Sequence, residues 1–261
     1  MSKSYNFFLD IDGTLLARGS TILTPAVSDA LSYARSRGCK IFLNTGRTLA
    51  FLPYSLKTSD CFDGFCCGCG TYIEYQGKPI LEHYLTTEQL VAIFDEFHRL
   101  EMDSDIIFEG KDRMFYSGTV SQWHIDYGFI KVESSDYFRE LKFAPKVNKL
   151  SIHSKQEKRE KFFDALANEF YTMKFPTYCE TVPLGFDKGR AIQLVEELLG
   201  LDPKCSVAVG DSLNDEMMLK YAATSVAMGN APDEVKAMCD IVTDTVQNDG
   251  VAKIIYSLLD K

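Results

Sequence analysis

Two carboxylates two residues apart, Asp10 and Asp12, close the apolar run Tyr5 to Leu9 and are followed by Gly13-Thr14. Asp-Gly is a turn signal in itself, so this stretch alone leaves an acidic turn and a reactive site both open. Other apolar runs end in the same way. Lys40 to Leu43 leads into Asn44-Thr45-Gly46-Arg47, and Ser206 to Val209 leads into Gly210-Asp211, with Asn214 and Asp215 just beyond. Lys188 starts a helical stretch that precedes the last of these runs. Carboxylates, a hydroxyl beside a glycine and an ammonium together suit divalent-metal phosphoryl transfer. Mg2+ is hard and takes carboxylate and phosphate oxygens. A hydroxyl, backbone N–H groups and a lysine are what bind a phosphoryl group.

Such groups converge only if the runs are strands of one parallel sheet, whose C-terminal ends share an edge. The spacing predicts that arrangement. After the first strand, Thr24 caps a helix with Pro25 at its first position, and Val27, Ala30, Leu31 and Ala34 recur at the spacing of one buried face. Gly38 stops it, and Lys40 to Leu43 follows as the second strand, completing a βαβ unit. Leu49 to Leu56 reads as a helix despite Pro53. Phe62 to Cys67 reads as a third strand, and Thr71 to Leu81 as a hairpin turning at Gln76-Gly77.

Near Thr86 the pattern changes. Thr86 with Gln89 makes a capping box for a helix with Leu90, Ile93, Phe94 and Phe97 on one face. Asp105 to Glu109, Arg113 to Ser117 and Val147 to His153 read as strands, and Phe162, Phe163, Leu166 and Phe170 as a helix face. The α/β rhythm returns after Pro183. Lys188 to Leu199 is helical with Ala191, Leu194, Val195 and Leu198 on one face. Asn214 to Ala222 reads as a helix, Ser225 to Met228 as a strand and Val251 to Leu259 as the last helix. The expected fold is α/β: a doubly wound, Rossmann-like parallel sheet built from residues 1–83 and 183–261, with an inserted α+β domain over 84–182.

Composition narrows the function. The chain has 261 residues, 46% hydrophobic and 25% charged, with a net charge of -9. That balance argues against sequence-independent nucleic-acid binding, which runs on clustered Lys and Arg. No apolar stretch approaches the roughly 20 residues of a membrane span. The start, Met1 to Asn6, has no signal-peptide core, so the expected location is the cytoplasm, with reduced cysteines. Cys61, Cys66, Cys67 and Cys69 lack the paired spacing of a zinc site and read as core thiols.

Asp10-x-Asp12-Gly13-Thr14, Thr45-Gly46-Arg47, Lys188-Gly189 and Gly210-Asp211-x-x-Asn214-Asp215 resemble, in order, the four motifs of the haloacid dehalogenase-like (HAD) hydrolases. The insert resembles their type C2 cap, and Gly210 to Met218 followed by Ala227 to Ala231 is similar to the Cof subfamily of metabolite phosphatases. That resemblance implies Asp10 as nucleophile and Asp12 as acid and base. It implies Mg2+ held by the Asp10 carboxylate, the Asp12 main-chain carbonyl and Asp211, with Asp215 and Asn214 in support. It implies Thr45, the backbone at Gly46 and Lys188 around the phosphoryl group. Helix capping is an equal reading for Asn214, and Arg47 stands between a substrate contact and a solvated or core-supporting charge. Where Cof-like proteins commonly show Asn-Gly this chain has Cys69-Gly70, which removes any substrate contact by that Asn. Asn230 is a further candidate at the edge of the site. Trp123-His124 could stack on a sugar ring but reads first as packing, and Glu133 to Asp136 as solvated surface. The expected activity is hydrolysis of small phosphorylated metabolites such as sugar phosphates. A phosphomutase and a non-catalytic phospho-ligand sensor are the alternatives.

Overall fold

The computed structural model describes residues 4–153, 156–175 and 177–260. The chain forms two compact units: Met1–Arg47, Leu52–Glu82 and Asp187–Lys261 in the first, Thr48–Phe51 and His83–Phe186 in the second.

An eight-stranded sheet carries the first unit. In spatial order its strands are Ile241–Val242, Thr224–Ala227, Ser206–Gly210, Asn6–Leu9, Lys40–Asn44, Gly64–Cys67, Tyr72–Tyr75 and Lys78–Glu82. The first six run parallel and the last two form the antiparallel hairpin. From Asn6–Leu9 the chain winds outward one way, then returns to pair Ser206–Gly210 on the other side of the same strand. That reversal opens a crevice at the strand's C-terminal end. Strands covered on both faces must be apolar throughout, and Phe7, Phe8 and Leu9 are each fully buried.

Helices cover both faces. Lys188–Leu199 and Glu216–Tyr221 pack with Phe8, Phe42, Ala208 and Ala227 on one side. Pro25–Ser36 and Gly250–Leu259 pack against each other, with Val27, Ala30, Leu31 and Ala34 buried as the spacing predicts. Thr24 caps the former by accepting from Val27 N at 3.2 Å.

Three local expectations are corrected. Leu49 to Leu56 is not one helix: a 3-10 turn at Leu49–Phe51 and a short helix at Tyr54–Lys57 flank Pro53, which lacks the N–H a continuous helix needs there. The buried face of Lys188–Leu199 is Lys188, Ala191, Ile192 and Val195, with Leu198 exposed, because the helix is turned to carry the Lys188 side chain inward. Asn214 to Ala222 divides into a 3-10 turn, Leu213–Asp215, and the helix Glu216–Tyr221.

The second unit is a six-stranded sheet in the order Phe170–Lys174, Cys179–Pro183, Val147–His153, Asp105–Gly110, Met114–Gly118, Ile130–Lys131. All pairs are antiparallel except the last. Phe170 opens a strand; the helix read as reaching it ends at Leu166. One face, with Ile106, Phe108, Leu150 and Ile152, packs against Phe94 and Phe97 of the helix Thr87–Arg99, Phe138 and Phe162. Thr86 and Gln89 form the expected capping box, at 3.0 and 3.2 Å. Ile107, Met114 and Tyr116 lie on the other face with Phe129 and, from the separate segment, Ala50 and Phe51. Trp123 meets Phe51 and Phe129 edge-on, and buried His124 stacks on Tyr116, so this pair is spent on packing. Among the described residues no helix is long and apolar enough to cross a membrane.

Candidate active site

The register of the first unit's sheet aligns Leu9 with Leu43 on one side and Val209 on the other. Residues just past these positions therefore meet: Asp10, Thr45 and Asp211 all lie at one edge. Asp10 N donates to Val209 O at 3.0 Å, which extends the ladder to Asp10 itself. Gly13 has φ +85°, and a Cβ on it would overlap the Asp211 carboxylate, so glycine is required where the two loops approach.

Lys188 enters from the N-terminus of its helix, which Asp187 caps by accepting from Arg190 N at 2.7 Å. Its Nζ donates to Asp10 Oδ1 at 2.6 Å and Asp215 Oδ1 at 2.5 Å, with all three side chains buried. Asp215 Oδ2 accepts from Asp211 N at 2.9 Å and Ser212 N at 3.2 Å, so both of its oxygens are occupied by protein donors. Asp10, Asp211 and Asp215 each place a carboxylate oxygen within 4.8 Å of the others. Asp211 Oδ1 is buried and has no hydrogen-bond donor among the described residues.

Three carboxylates crowd around one ammonium, and the proton affinities of Asp10 and Asp211 reflect it. Burial, then the Asp215 carboxylate, pushes Asp10 up to about 8 despite Lys188. Burial and Asp215 push Asp211 up to about 7. Burial alone would lower Lys188, but Asp10 and Asp215 outweigh it and hold it above the ordinary lysine range. Carboxylates displaced in this direction, beside an orphaned oxygen, mark a cluster short of positive charge. A hard divalent cation fits the oxygen set of Asp10 and Asp211.

The remaining sequence candidates are placed as follows. Thr45 is buried; its Oγ1 accepts from Arg47 N at 3.1 Å, and Gly46 is buried beside it. Arg47 does not stand free: Nε and Nη2 donate to Asp12 Oδ2 and Oδ1 at 2.8 and 2.6 Å. The Asp12 side chain is 60% exposed, outside the buried cluster. Asn214 accepts from Ser212 Oγ at 2.6 Å, a contact internal to its loop. Cys66, Cys67 and Cys69 are buried, and burial pushes the Cys66 and Cys67 thiols up. Two asparagines tie the site together. Asn44 Nδ2 donates to Lys188 O at 2.8 Å and fixes the start of its helix. Asn230 Nδ2 donates to Gly13 O at 2.9 Å and Asp211 Oδ2 at 3.3 Å, while its Oδ1 accepts from Val246 N. Each is the polar residue at or after the end of an apolar run, the signal that marked Asp10. Asn44 carries no motif of its own; the motif lies on Thr45 beside it.

The sequence matches the family described as haloacid dehalogenase-like hydrolase over residues 7–255. It is 30% identical to the pyridoxal phosphate phosphatase YbhA of Escherichia coli (strain K12), over 96% of this chain and 97% of that one. It is also 30% identical to the 5-amino-6-(5-phospho-D-ribitylamino)uracil phosphatase YcsE of Bacillus subtilis (strain 168), over 95% and 92%. Among solved structures, a sugar phosphatase of HAD subclass IIB superimposes with a TM-score of 0.82 at 22% identity, covering 97% of this chain and 98% of its own, a likeness of fold.

Proposed function

The chain belongs to the haloacid dehalogenase-like hydrolases, and on that premise we propose that it is a Mg2+-dependent phosphatase of small phosphorylated metabolites working through an aspartyl-phosphate. The observation that carries the reading is Lys188 held between Asp10 and Asp215, with Asp211 offering a buried oxygen that no donor among the described residues takes.

Asp10 attacks phosphorus with a carboxylate oxygen, the bond from phosphorus to the ester oxygen breaks, and Asp12 gives that departing oxygen its proton. Water then attacks the phosphorus of the aspartyl-phosphate, Asp12 takes its proton, and the phosphorus–Asp10 bond breaks to release phosphate and restore the carboxylate. Lys188 keeps Asp10 in place and offsets charge on the phosphoryl oxygens. The Thr45 hydroxyl and neighbouring backbone N–H groups orient those oxygens. Asp215, with both oxygens engaged, braces Lys188 and the Asp211 loop; Asp10, Asp211 and the Asp12 carbonyl would hold the cation. When bound, the cation relieves repulsion between an anionic nucleophile and an anionic substrate.

The substrate class is drawn from the relatives, which act on pyridoxal phosphate and on a phosphorylated ribitylaminouracil. The test is hydrolysis of p-nitrophenyl phosphate with Mg2+, followed by a panel of sugar phosphates, nucleotides and pyridoxal phosphate. Asp10→Asn removes the nucleophile, and kcat falls by about 10³-fold or more. Activity near wild type in Asp10→Asn overturns the reading.

A further inference from the structure

Arg47 is the residue whose place in the first unit departs most from its expected use. As a substrate contact its guanidinium would be available to a phosphoryl group. Instead it grips both oxygens of Asp12, through Nε at 2.8 Å and Nη2 at 2.6 Å. Its main chain is pinned on both sides: Arg47 N donates to Thr45 Oγ1 at 3.1 Å, and Arg47 O accepts from Gly68 N at 2.8 Å. Asp12 has the opposite character. It lies on a turn before Gly13 at φ +85°, and its side chain is largely exposed. An exposed pair of this kind adds little to stability, so stability does not account for a two-armed contact. It does fix geometry. A free aspartate spreads over its χ1 wells and turns about χ2. A planar fork that engages both oxygens sets the position and plane of the carboxyl together, which a lysine ammonium cannot do.

We infer that Arg47 is the positioning residue for Asp12, presenting its carboxyl to the departing and attacking oxygens rather than anchoring substrate. The inference rests on Asp12 as the acid and base of the proposed reaction. Its consequence is selective. Proton delivery matters most when the departing oxygen is a poor leaving group and little when it is a good one. A residue that held the phosphoryl group would matter equally for both, because that group is common to all substrates.

The experiment is a series of substituted phenyl phosphates, from electron-poor to electron-rich, hydrolysed with Mg2+ by the wild type, Arg47→Gln, Arg47→Lys and Asp12→Asn. Expected is a shallow dependence of kcat/KM on leaving-group basicity for the wild type and a steeper one for all three variants. For Arg47→Gln, phenyl phosphate loses about 10- to 100-fold, up to the lower end of what general acid catalysis contributes, while p-nitrophenyl phosphate stays within about threefold. That retained activity also reports an intact fold. The double variant Arg47→Gln/Asp12→Asn falls no further than Asp12→Asn alone, as residues acting through one another must. A parallel loss across the series, or no loss, overturns the role of Arg47 and leaves the proposed function standing. No hydrolysis by the wild type overturns both.

Discussion

Each unit buries one lysine between two carboxylates, and the two trios differ instructively. In the first, Lys188 lies 2.6 Å from Asp10 and 2.5 Å from Asp215. In the second, Lys149 lies 3.4 Å from Glu109 and 3.0 Å from Glu180. The second trio sits within strands: Glu109 pairs across the ladder with Lys149, and Glu180 with Ser151, whose hydroxyl donates to Glu109. Burial, helped by Glu180, raises the Glu109 proton affinity against the pull of Lys149. That shift toward the neutral form eases the excess of negative charge around Lys149. The first trio sits beyond the strand ends, among loops, with a third carboxylate and an orphaned oxygen. There the third carboxylate, Asp211, adds to the negative charge around the single ammonium. Burial of an ion pair is thus shared by both regions, and the uncompensated remainder at a sheet edge is what distinguishes the candidate site.

The contrast is broken most severely by removing each lysine. Lys188→Met is expected to lower kcat for p-nitrophenyl phosphate by about 10²- to 10³-fold, as loss of a group acting on developing charge does. Lys149→Met leaves two buried carboxylates without their cation, expected to cost about 3 kcal/mol of stability. At a few degrees per kcal/mol the melting temperature drops by roughly 6–12 °C, while kcat of the folded fraction stays within about threefold of wild type. Equal effects of the two variants on turnover would erase the distinction.

The next effect comes from pH and cation together. Asp10 near 8 and Asp211 near 7 lie above their ordinary 3.8, so the cation-free fold binds protons more tightly than the unfolded chain. The contribution is present in full below about pH 4 and is lost as pH rises through 7 to 8. In EDTA the melting temperature should fall from pH 5.5 to 8.5. Mg2+ at a fixed concentration, 100 times its Kd at pH 8.5, should then restore about 2.7 kcal/mol there and less at pH 5.5, where protons compete. Thermal melts of wild type and Asp211→Asn check this, the variant showing a flatter pH dependence and a smaller gain. The smallest effect is expected for Glu109→Gln. Replacing a carboxyl that burial shifts toward its neutral form by an amide of the same shape should change stability by less than about 1 kcal/mol in a urea titration.

Much of the first unit was legible because its signals are local. The Thr24 cap, the stripe from Val27 to Ala34 and the apolar runs ending in Asp10, Thr45 and Asp211 each need only neighbouring residues, and a parallel sheet then assembles the ends. What depended on tertiary choice was not legible. The Arg47–Asp12 pair joins residues 35 positions apart through two side-chain conformations that no spacing encodes. Phe170 continued the interval of Phe162, Phe163 and Leu166 but begins a strand. Glu109, Lys149 and Ser151 alternate with Phe108, Leu150 and Ile152 as solvent-facing residues would, yet they are buried. Alternation separates the two faces of a strand without saying whether the polar one is wet.

The grouping of Thr48–Phe51 with the second unit bears on modular exchange. The chain passes between the units at four junctions rather than two, because this short piece is cut from the flank of the first unit's own sequence. Phe51 belongs to the ring set of Trp123 and Tyr127. Moving residues 83–186 of this chain into a relative would carry Trp123 and Tyr127 without Phe51. The heritable module is therefore discontinuous, and a chimera that respects it must carry residues 48–51 along with the larger segment.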